Sequence, residues 1–225
     1  MNNRFALIMA ACIVAFAGIF WFNKHKTTTH SGSKSSTTQP SNHQYGDGKK
    51  AVTLIEYGDL QCPACYYYEP IVEKIRDKYK DSINFQFRNF PLVQIHQNAM
   101  AAHRAVEAAS IQGKFWQMHD LLYQHAHQVD DKGSVSDIEW TTTTNPQTYF
   151  DQYAAQLGLN VSKFDQDMRS DGVNNVINAD MAAGDAIGAN STPTFVLQGK
   201  KLDENPRDLN SFSKLIDDAI AAVKK

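Results

Sequence analysis

Apolar residues recur along this chain with two different spacings, and these spacings predict its strands and helices. The nearly continuous apolar run Ala51–Tyr57 predicts a buried strand. Ile83–Phe90 alternates apolar and polar residues, as a half-buried strand does. Between them, Ile71, Ile75 and Tyr79 form an apolar stripe at helical spacing. Strand, helix and strand in this order predict a βαβ unit with a right-handed crossover.

Helical spacing then continues from Gln94 to Gly188, before strand-like sequence returns. Helices are predicted at Asn98–Ser110, Lys114–Gln128 and Pro146–Leu157, then as a short helix capped by Ser162 and a longer one ending at Gly188, with a polar loop at Val129–Asn145. Another strand is predicted to follow Ser191, with a hairpin turn at Gln198–Lys201 and a last helix from Asn205. The fold class is therefore α/β.

The N-terminal region differs in composition from the rest of the chain. Phe5–Phe22 is a run of 18 apolar or glycine residues, which as a helix would be about 27 Å long, close to the thickness of a bilayer's hydrocarbon core. We interpret it as a retained membrane anchor after a cytoplasmic segment 1–4; a cleaved signal peptide is the alternative. Residues 23–44 lack aliphatic and aromatic side chains and are predicted to form a disordered linker.

Composition and charge reduce the number of functional classes to which the protein could belong. The net charge of −2 gives no indication of nucleic-acid binding. Apart from Cys12, in the apolar N-terminal run, the cysteines are Cys62 and Cys65, too few for a disulfide-rich secreted scaffold. A single C-x-x-C pair in a globular domain is typical of redox enzymes. No cofactor or metal site is predicted. His119 and His125 have the gap of a zinc finger, but they lie on different helix faces and far from Cys65, so the histidines are interpreted as surface or satisfied core residues.

The Cys62-Pro63-Ala64-Cys65 motif has the local sequence of a helix start. Pro63 suits the first helical position, and the two cysteines then share one helix face. The Cys62 sulfur would lie beside the unpaired N–H groups of the helix, which favour a thiolate. Two alternatives remain: a structural disulfide, which would stabilise by only about 2 kcal/mol because its loop is short, and half of a zinc site.

Glu56 is a second candidate for chemistry. It shares a strand face with Val52 and Leu54, six residues before Cys62. If this face is buried, the pKa of the carboxyl rises toward the range useful for proton transfer. The alternative is that Glu56 lies at a frayed strand end and faces water.

Four segments resemble one known family. They are Ile55–Cys65, Arg88–Leu92, Phe115–Leu122 and Ser191–Phe195. Together they resemble the DsbA-like thiol–disulfide oxidoreductases of bacterial envelopes. This resemblance implies a thioredoxin-like fold made of residues 45–93 and 189–225, with a helical domain inserted at 94–188.

The resemblance also implies roles for individual residues. Cys62 is similar to the attacking cysteine that forms a mixed disulfide with substrate, and Cys65 to the buried partner that closes the enzyme's own disulfide. Glu56 takes the place of the buried acid that relays a proton. Pro193 is similar to a cis-proline facing the motif, and Thr192 to the residue whose backbone pairs with substrate.

One position departs from the best-known family members. Ala64 stands where they have a histidine, whose positive charge would help to stabilise a thiolate. We therefore expect a milder oxidant, with a reduction potential between those of thioredoxin and the strongly oxidising members.

The resemblance implies an oxidase outside the cytoplasm. It would donate the Cys62–Cys65 disulfide to reduced, exported proteins, and a quinone-linked membrane partner would reoxidise it. The expected protein is a single-pass membrane protein with an extracytoplasmic catalytic domain. We expect a monomer, since no dimerisation segment is evident. The alternatives are an isomerase or reductase of the same fold, or a tethered chaperone or binding module without redox activity.

Overall fold

The computed structural model describes residues 39–46 and 51–223. The strands in this part of the chain are β1 (His43–Tyr45), β2 (Thr53–Gly58), β3 (Asn84–Asn89), β4 (His127–Val129), β5 (Val135–Asp137), β6 (Thr194–Leu197) and β7 (Lys200–Lys201). The helices are α1 (Pro63–Tyr79), α2 (Ala99–Ile111), α3 (Phe115–Gln124), α4 (Gln147–Gln156), α5 (Val161–Met168), α6 (Asp171–Ala186) and α7 (Leu209–Val223).

The five-stranded sheet has the order β1-β3-β2-β6-β7. β2 and β3 are parallel, with α1 as their crossover, which confirms the predicted βαβ unit. β1 is antiparallel to β3, and β6 is antiparallel to β2 and to β7. Helices α2–α6 lie in the chain between β3 and β6. The fold is therefore the predicted α/β, thioredoxin-like one, while the boundaries of its two parts and of the insertion stay predictions.

Apolar side chains cover both faces of the sheet. On one face, Leu54 and Phe85 pack with α1 and α7 through Ile75, Phe212 and Ile216. The other face packs against α6, with Tyr57, Phe90, Val196 and Met181 in one cluster. β2 is thus buried in the middle of the sheet, and its end has a fixed position.

The inserted helices form a third cluster, which includes the C-x-x-C motif. Leu60, Cys62 and Cys65 pack together with apolar residues of α2, α3, α4 and α5. Trp140 is fully buried there, and its Nε1–H donates to the carbonyl of Leu122 at 3.0 Å. The insertion therefore contributes directly to the surroundings of the motif.

The linker prediction for residues 23–44 is wrong at its C-terminal end. Ser41 is buried, and its N–H and hydroxyl each donate to the Asp180 carboxylate at 2.7 Å. His43 begins β1 and stacks on Phe115 with ring centroids 3.6 Å apart. Polar residues are ordered here because backbone and carboxylate hydrogen bonds replace the apolar burial that the sequence lacks.

Three local predictions within the insertion are also wrong. The polar loop predicted at Val129–Asn145 contains part of the β4–β5 hairpin, and α3 ends at Gln124 rather than at Gln128. The hairpin forms because Asp130 accepts hydrogen bonds from two N–H groups of its turn. The short helix is capped by Asn160, which accepts from Lys163 N–H at 2.9 Å, and not by Ser162.

The predicted anchor Phe5–Phe22 lies outside the described residues. Among residues 39–46 and 51–223, no helix has the length and hydropathy needed to cross a membrane.

The close packing of α6 on the sheet gives a first prediction. A Cβ atom on Gly184 would lie 2.6 Å from Phe90 Cε2 and 3.1 Å from Tyr57 Cδ1. Both rings are buried, so we expect Gly184→Ala to lower the free energy of unfolding by about 1–3 kcal/mol, as overpacking does. Urea denaturation measures this change.

A matched control lies on the same helix. A Cβ atom on Gly172 would meet only Ser170 Oγ, at 3.8 Å. Gly172→Ala should therefore be neutral or stabilise by up to about 1 kcal/mol, because alanine favours a helix. Equal effects of the two substitutions would contradict the packing argument.

Candidate active site

The C-x-x-C motif lies where β2 ends and α1 begins. Cys62 is the N-cap of α1 with extended backbone (φ −77°, ψ 122°), and Pro63 is the first helical residue. Tyr66 N–H donates to the Cys62 carbonyl at 3.0 Å and closes the first turn. The exposed fractions are 6% for Cys62 and 1% for Cys65, and both are free thiols. The structure thus confirms that Cys62 lies at the helix start.

The surroundings of Cys62 favour its thiolate. The Cys65 thiol hydrogen-bonds to it and, although burial opposes ionisation, lowers the pKa of Cys62 to about 6. The nearby Thr192 side chain and the backbone N–H groups of Cys65 and Ala64 also lower this pKa, because donors close to the sulfur favour its charged form. Because the pKa lies below neutral pH, Cys62 is mostly ionised there and can act as a nucleophile or a leaving group.

Cys65 has the opposite preference. Its burial raises the pKa of its thiol well above the ordinary value, and the neighbouring Cys62 and Glu56 charges raise it further. The N–H of Asp59 donates to its sulfur at 3.5 Å. Of the two sulfurs, Cys65 therefore holds the proton and Cys62 carries the charge.

Thr192 and Pro193 face the motif as the resemblance implies. Their peptide bond is cis, and both residues are buried. The Cys62 thiol lies 3.6 Å from the Thr192 carbonyl oxygen, to which it can donate. Asn205 Nδ2 donates to the Pro193 carbonyl at 2.7 Å and helps to hold this loop. The loop before β6 therefore brings a main-chain acceptor to the reactive sulfur.

Glu56 lies on the buried face of β2. It is 1% exposed, which excludes the alternative of a frayed, solvated end, and its Oε2 has no hydrogen-bond partner among the described residues. Burial raises its pKa to about 8, although the positive charge of Arg76 opposes this rise. At neutral pH the carboxyl is therefore mostly protonated, and it is electrostatically coupled to both cysteines.

Asp59 is a buried residue at the site that the sequence analysis did not single out. Its Oδ1 accepts from Gln61 N–H, and its Oδ2 accepts from Leu92 N–H, both at 2.8 Å. His96 Nδ1 lies 2.7 Å from the same Oδ2. One signal was present in the sequence, a carboxylate just after a buried strand, but its partners are remote in the chain.

The histidines interpreted as surface or satisfied core residues prove to be paired. The buried His103 accepts from Leu60 N–H through Nε2 at 3.3 Å, and its Nδ1 lies 2.7 Å from Asn89 Oδ1. Burial lowers the pKa of His103 to about 4, which keeps the ring neutral. His127 Nε2 lies 3.1 Å from the Gln61 carbonyl oxygen. Two histidines of the insertion thus support the segment that leads into Cys62.

Only one group of possible metal ligands is found among the described residues. It consists of Glu69, His119 and Asp120, with ligand atoms within 4.8 Å of one another. Arg76 already donates to Glu69 at 2.7 Å and to Asp120 at 3.2 Å. Because this guanidinium supplies the positive charge that the carboxylates need, the group does not require a metal ion.

The geometry defines the chemistry of the site. An ionised sulfur at a helix start, a protonated sulfur one turn later and a cis-proline loop beside them are suited to exchange between a dithiol and a disulfide. The class of protein is therefore a thiol–disulfide oxidoreductase.

Comparison with known proteins identifies the family. A family model described as thioredoxin matches residues 38–218, and the chain belongs to that family. The Na(+)/H(+) antiporter NhaA 1 of Mycolicibacterium gilvum is 32% identical over 177 residues, covering 78% of this chain and 26% of that protein. NhaA 3 of Salinispora tropica is 30% identical over 182 residues, covering 81% of this chain and 25% of its own length. The chain thus spans about a quarter of these curated relatives.

Solved structures share the fold. BdbD from Bacillus subtilis, in its oxidised form, has a TM-score of 0.65 at 20% identity, covering 82% of this chain and 97% of that one. DsbA2 from Pseudomonas aeruginosa has a TM-score of 0.58 at 24% identity, covering 80% and 95%. At these identities the likeness shows a DsbA-like fold, in agreement with the resemblance of the sequence segments.

The burial of Glu56 predicts how stability depends on pH. The folded state keeps the Glu56 proton up to about pH 8, whereas the unfolded chain releases it near pH 4.5. Between these values the folded state binds more protons, so the Glu56 contribution to stability falls as the pH rises. Glutamine cannot ionise, and we expect Glu56→Gln to become progressively more stable than wild type from about pH 5 to about pH 8.

The measurement is the difference in unfolding free energy between the variant and wild type at each pH. This difference cancels the contribution of Cys62, which has the opposite sign over part of the range. Glu204→Gln, at an exposed glutamate, serves as the control. A difference for Glu56→Gln that does not change with pH would contradict a protonated Glu56.

Proposed function

We propose that the chain is an extracytoplasmic oxidase that donates its Cys62–Cys65 disulfide to reduced, exported proteins. The observation that carries the proposal is the unequal ionisation of the two sulfurs: a pKa lowered to about 6 for Cys62 and raised for Cys65. A stabilised Cys62 thiolate favours the reduced form of the enzyme. A disulfide whose reduced form is favoured is an oxidant.

The proposed reaction begins at the Cys62 sulfur. A substrate thiolate attacks it, the Cys62–Cys65 bond breaks, and a mixed disulfide forms with Cys65 as the leaving thiolate. Cys65 then takes a proton, because its buried site disfavours the charge. A second substrate thiolate attacks the substrate sulfur and releases the Cys62 thiolate, so two electrons pass from the substrate dithiol to the enzyme.

Glu56 fits the role of proton donor to Cys65. Its carboxyl is buried and carries a proton at neutral pH, because its pKa is raised to about 8. Proton transfer would neutralise the leaving thiolate without moving a charge from water into the interior. In the reverse direction, during reoxidation, Glu56 would accept the proton again.

Location and partners are part of the same proposal. The apolar run Phe5–Phe22 supports a single-pass anchor, and the need for a compartment where thiols are not kept reduced supports an extracytoplasmic domain. A membrane-embedded, quinone-linked partner would take two electrons from the reduced dithiol and restore the disulfide. The proposed enzyme acts as a monomer.

The function is tested with the full chain. We expect it to oxidise a reduced, unfolded substrate and to promote its refolding, and we expect Cys62→Ser to abolish this activity. In cells, the cysteines trapped with an alkylating agent should be mostly oxidised. Mostly reduced cysteines would identify an isomerase or reductase instead, and full biological activity of Cys62→Ser would identify a binding module.

Position 64 predicts how oxidising the enzyme is. Ala64 is exposed beside Cys62, so a histidine there would add a positive charge close to the thiolate. We expect Ala64→His to make the disulfide about three- to tenfold more oxidising, equivalent to a rise of about 15–30 mV in reduction potential. Ala64→Gln adds a side chain without the charge and should leave the potential near the wild-type value.

Equilibration with glutathione buffers measures both potentials. Equal potentials for the histidine and glutamine variants would show that charge at position 64 does not control this disulfide.

A further inference from the structure

Asp59 joins the motif to the loop that follows β3. Its backbone N–H donates to Cys65 Sγ at 3.5 Å, and its carbonyl accepts from Cys62 N–H at 3.0 Å. Its side chain is completely buried and accepts from Leu92 N–H at 2.8 Å. A carboxylate is thus fixed directly behind the peptide groups that hold both sulfurs.

His96 is paired with the carboxylate of Asp59. Its Nδ1 lies 2.7 Å from Asp59 Oδ2, and its side chain is 14% exposed, so the ring is packed but can still exchange protons with solvent. The hydrogen bond to Asp59, opposed by partial burial, raises the pKa of His96. The charge of the Cys62 thiolate raises it further, so the two groups are electrostatically coupled.

We propose that His96, held by the buried carboxylate of Asp59, carries the positive charge that stabilises the Cys62 thiolate in this enzyme. His96 is then a positioning residue for the exchange reaction, and the inference rests on the proposed exchange at Cys62. The motif itself supplies no cation, because the residues between its cysteines are Pro63 and Ala64.

Charge balance explains why the histidine matters. A lone carboxylate behind Cys62 would repel a thiolate and disfavour it. An imidazolium on the same carboxylate cancels that repulsion, and the electrostatic coupling between His96 and Cys62 is favourable when both are charged. The neutral form of His96 would leave the repulsion in place.

Other ionisable groups near His96 come from three elements. Asp137 on β5 raises the pKa of His96. Burial lowers the pKa of His127 on β4. His103 on α2 lies 4.0 Å from Asp59 Oδ1, and burial keeps it neutral. Among these groups His96 is therefore the cation; it contacts the Asp59 carboxylate and is electrostatically coupled to Asp137 and to the Cys62 thiolate.

The experiment compares the ionisation of Cys62 in the reduced full chain and in variants. The rate of alkylation by iodoacetamide is followed against pH and read by mass spectrometry on the peptide that contains Cys62 and Cys65. Fragmentation of this peptide assigns the label to Cys62 or to Cys65, and Cys12 lies in a different peptide. The variants are His96→Gln, Asp59→Asn and the double substitution. His125→Gln is the matched control, since His125 pairs with Glu139 at 2.9 Å and stacks on Tyr153.

The proposal predicts an order of effects. His96→Gln should raise the pKa of Cys62 by about half a unit or more, which is about a threefold loss of thiolate on the acid side of the titration. Asp59→Asn removes the carboxylate together with the need for its counter-charge, so its shift should be smaller. The double variant should behave like Asp59→Asn, and His125→Gln like wild type.

A second measurement uses the unmodified protein, in case a variant fails to fold. Coupling between two charges is reciprocal, so disulfide formation, which removes the thiolate, must lower the pKa of His96. An NMR titration of the His96 ring in the reduced and oxidised forms measures this shift, expected to be about half a unit. A purely structural histidine would show the same pKa in both forms.

The proposal is overturned if His96→Gln leaves the Cys62 titration unchanged, or if the His96 titration does not respond to oxidation. Neither outcome depends on the direction of electron flow in the cell. Reduced cysteines in cells together with a shifted Cys62 titration would reject the oxidase and keep this inference. Oxidised cysteines in cells together with an unshifted Cys62 titration would keep the oxidase and reject this inference.

Discussion

The backbone of Asp59 makes the contacts on which the rest of the site depends. Its N–H donates to the Cys65 sulfur and its carbonyl accepts from the N–H of Cys62, so the two peptide groups that flank one residue tie the end of β2 to both cysteines. Its position is fixed because β2 is hydrogen-bonded on both sides, to β3 and to β6. The unequal chemistry of the two cysteines follows from this junction: one lies at a helix start with N–H groups around it, and the other is buried one turn later.

The inserted helices do more than cover the sheet. Gln61, which precedes the reactive cysteine, accepts from Asn98 N–H at 2.7 Å and donates to the Thr141 carbonyl at 3.3 Å. His127 approaches its backbone carbonyl. The segment leading into the motif is therefore held from the sheet by Asp59 and from the insertion by three residues, and neither part of the fold alone would position the sulfur.

The sequence predicted those features whose causes are local. Pro63 and the helical stripe after it placed Cys62 at a helix start. The continuous apolar run before that helix and the alternating run after it placed the helix between parallel strands. The burial of Glu56 followed in the same way from its neighbours on one strand face. The cis peptide before β6 was expected only from the family resemblance, because spacing does not indicate the isomer of an X–Pro bond.

The features that the sequence did not predict depend on remote partners. His96 and Asp59 are separated by 37 residues, and no spacing rule connects them. Arg76 is a charged residue of α1, yet it is 3% exposed. Its guanidinium donates to Glu69 and Asp120 and lies 4.8 Å from the centre of the Trp116 ring, and the last two of these residues are remote from it in the chain. β1 was missed for the same reason, since a polar tripeptide becomes a strand only when an open sheet edge is available to it.

That short edge strand has a mechanical consequence. Soon after Gln39 the chain is bonded to Asp180 on α6, and as β1 it forms the edge of the sheet beside β3. A pulling force applied to the chain before Ser41 would therefore act as shear on the β1–β3 ladder and on the paired Ser41 hydrogen bonds. Such a force would reach this edge strand before it reached the junction between β2 and α1 that holds the two sulfurs.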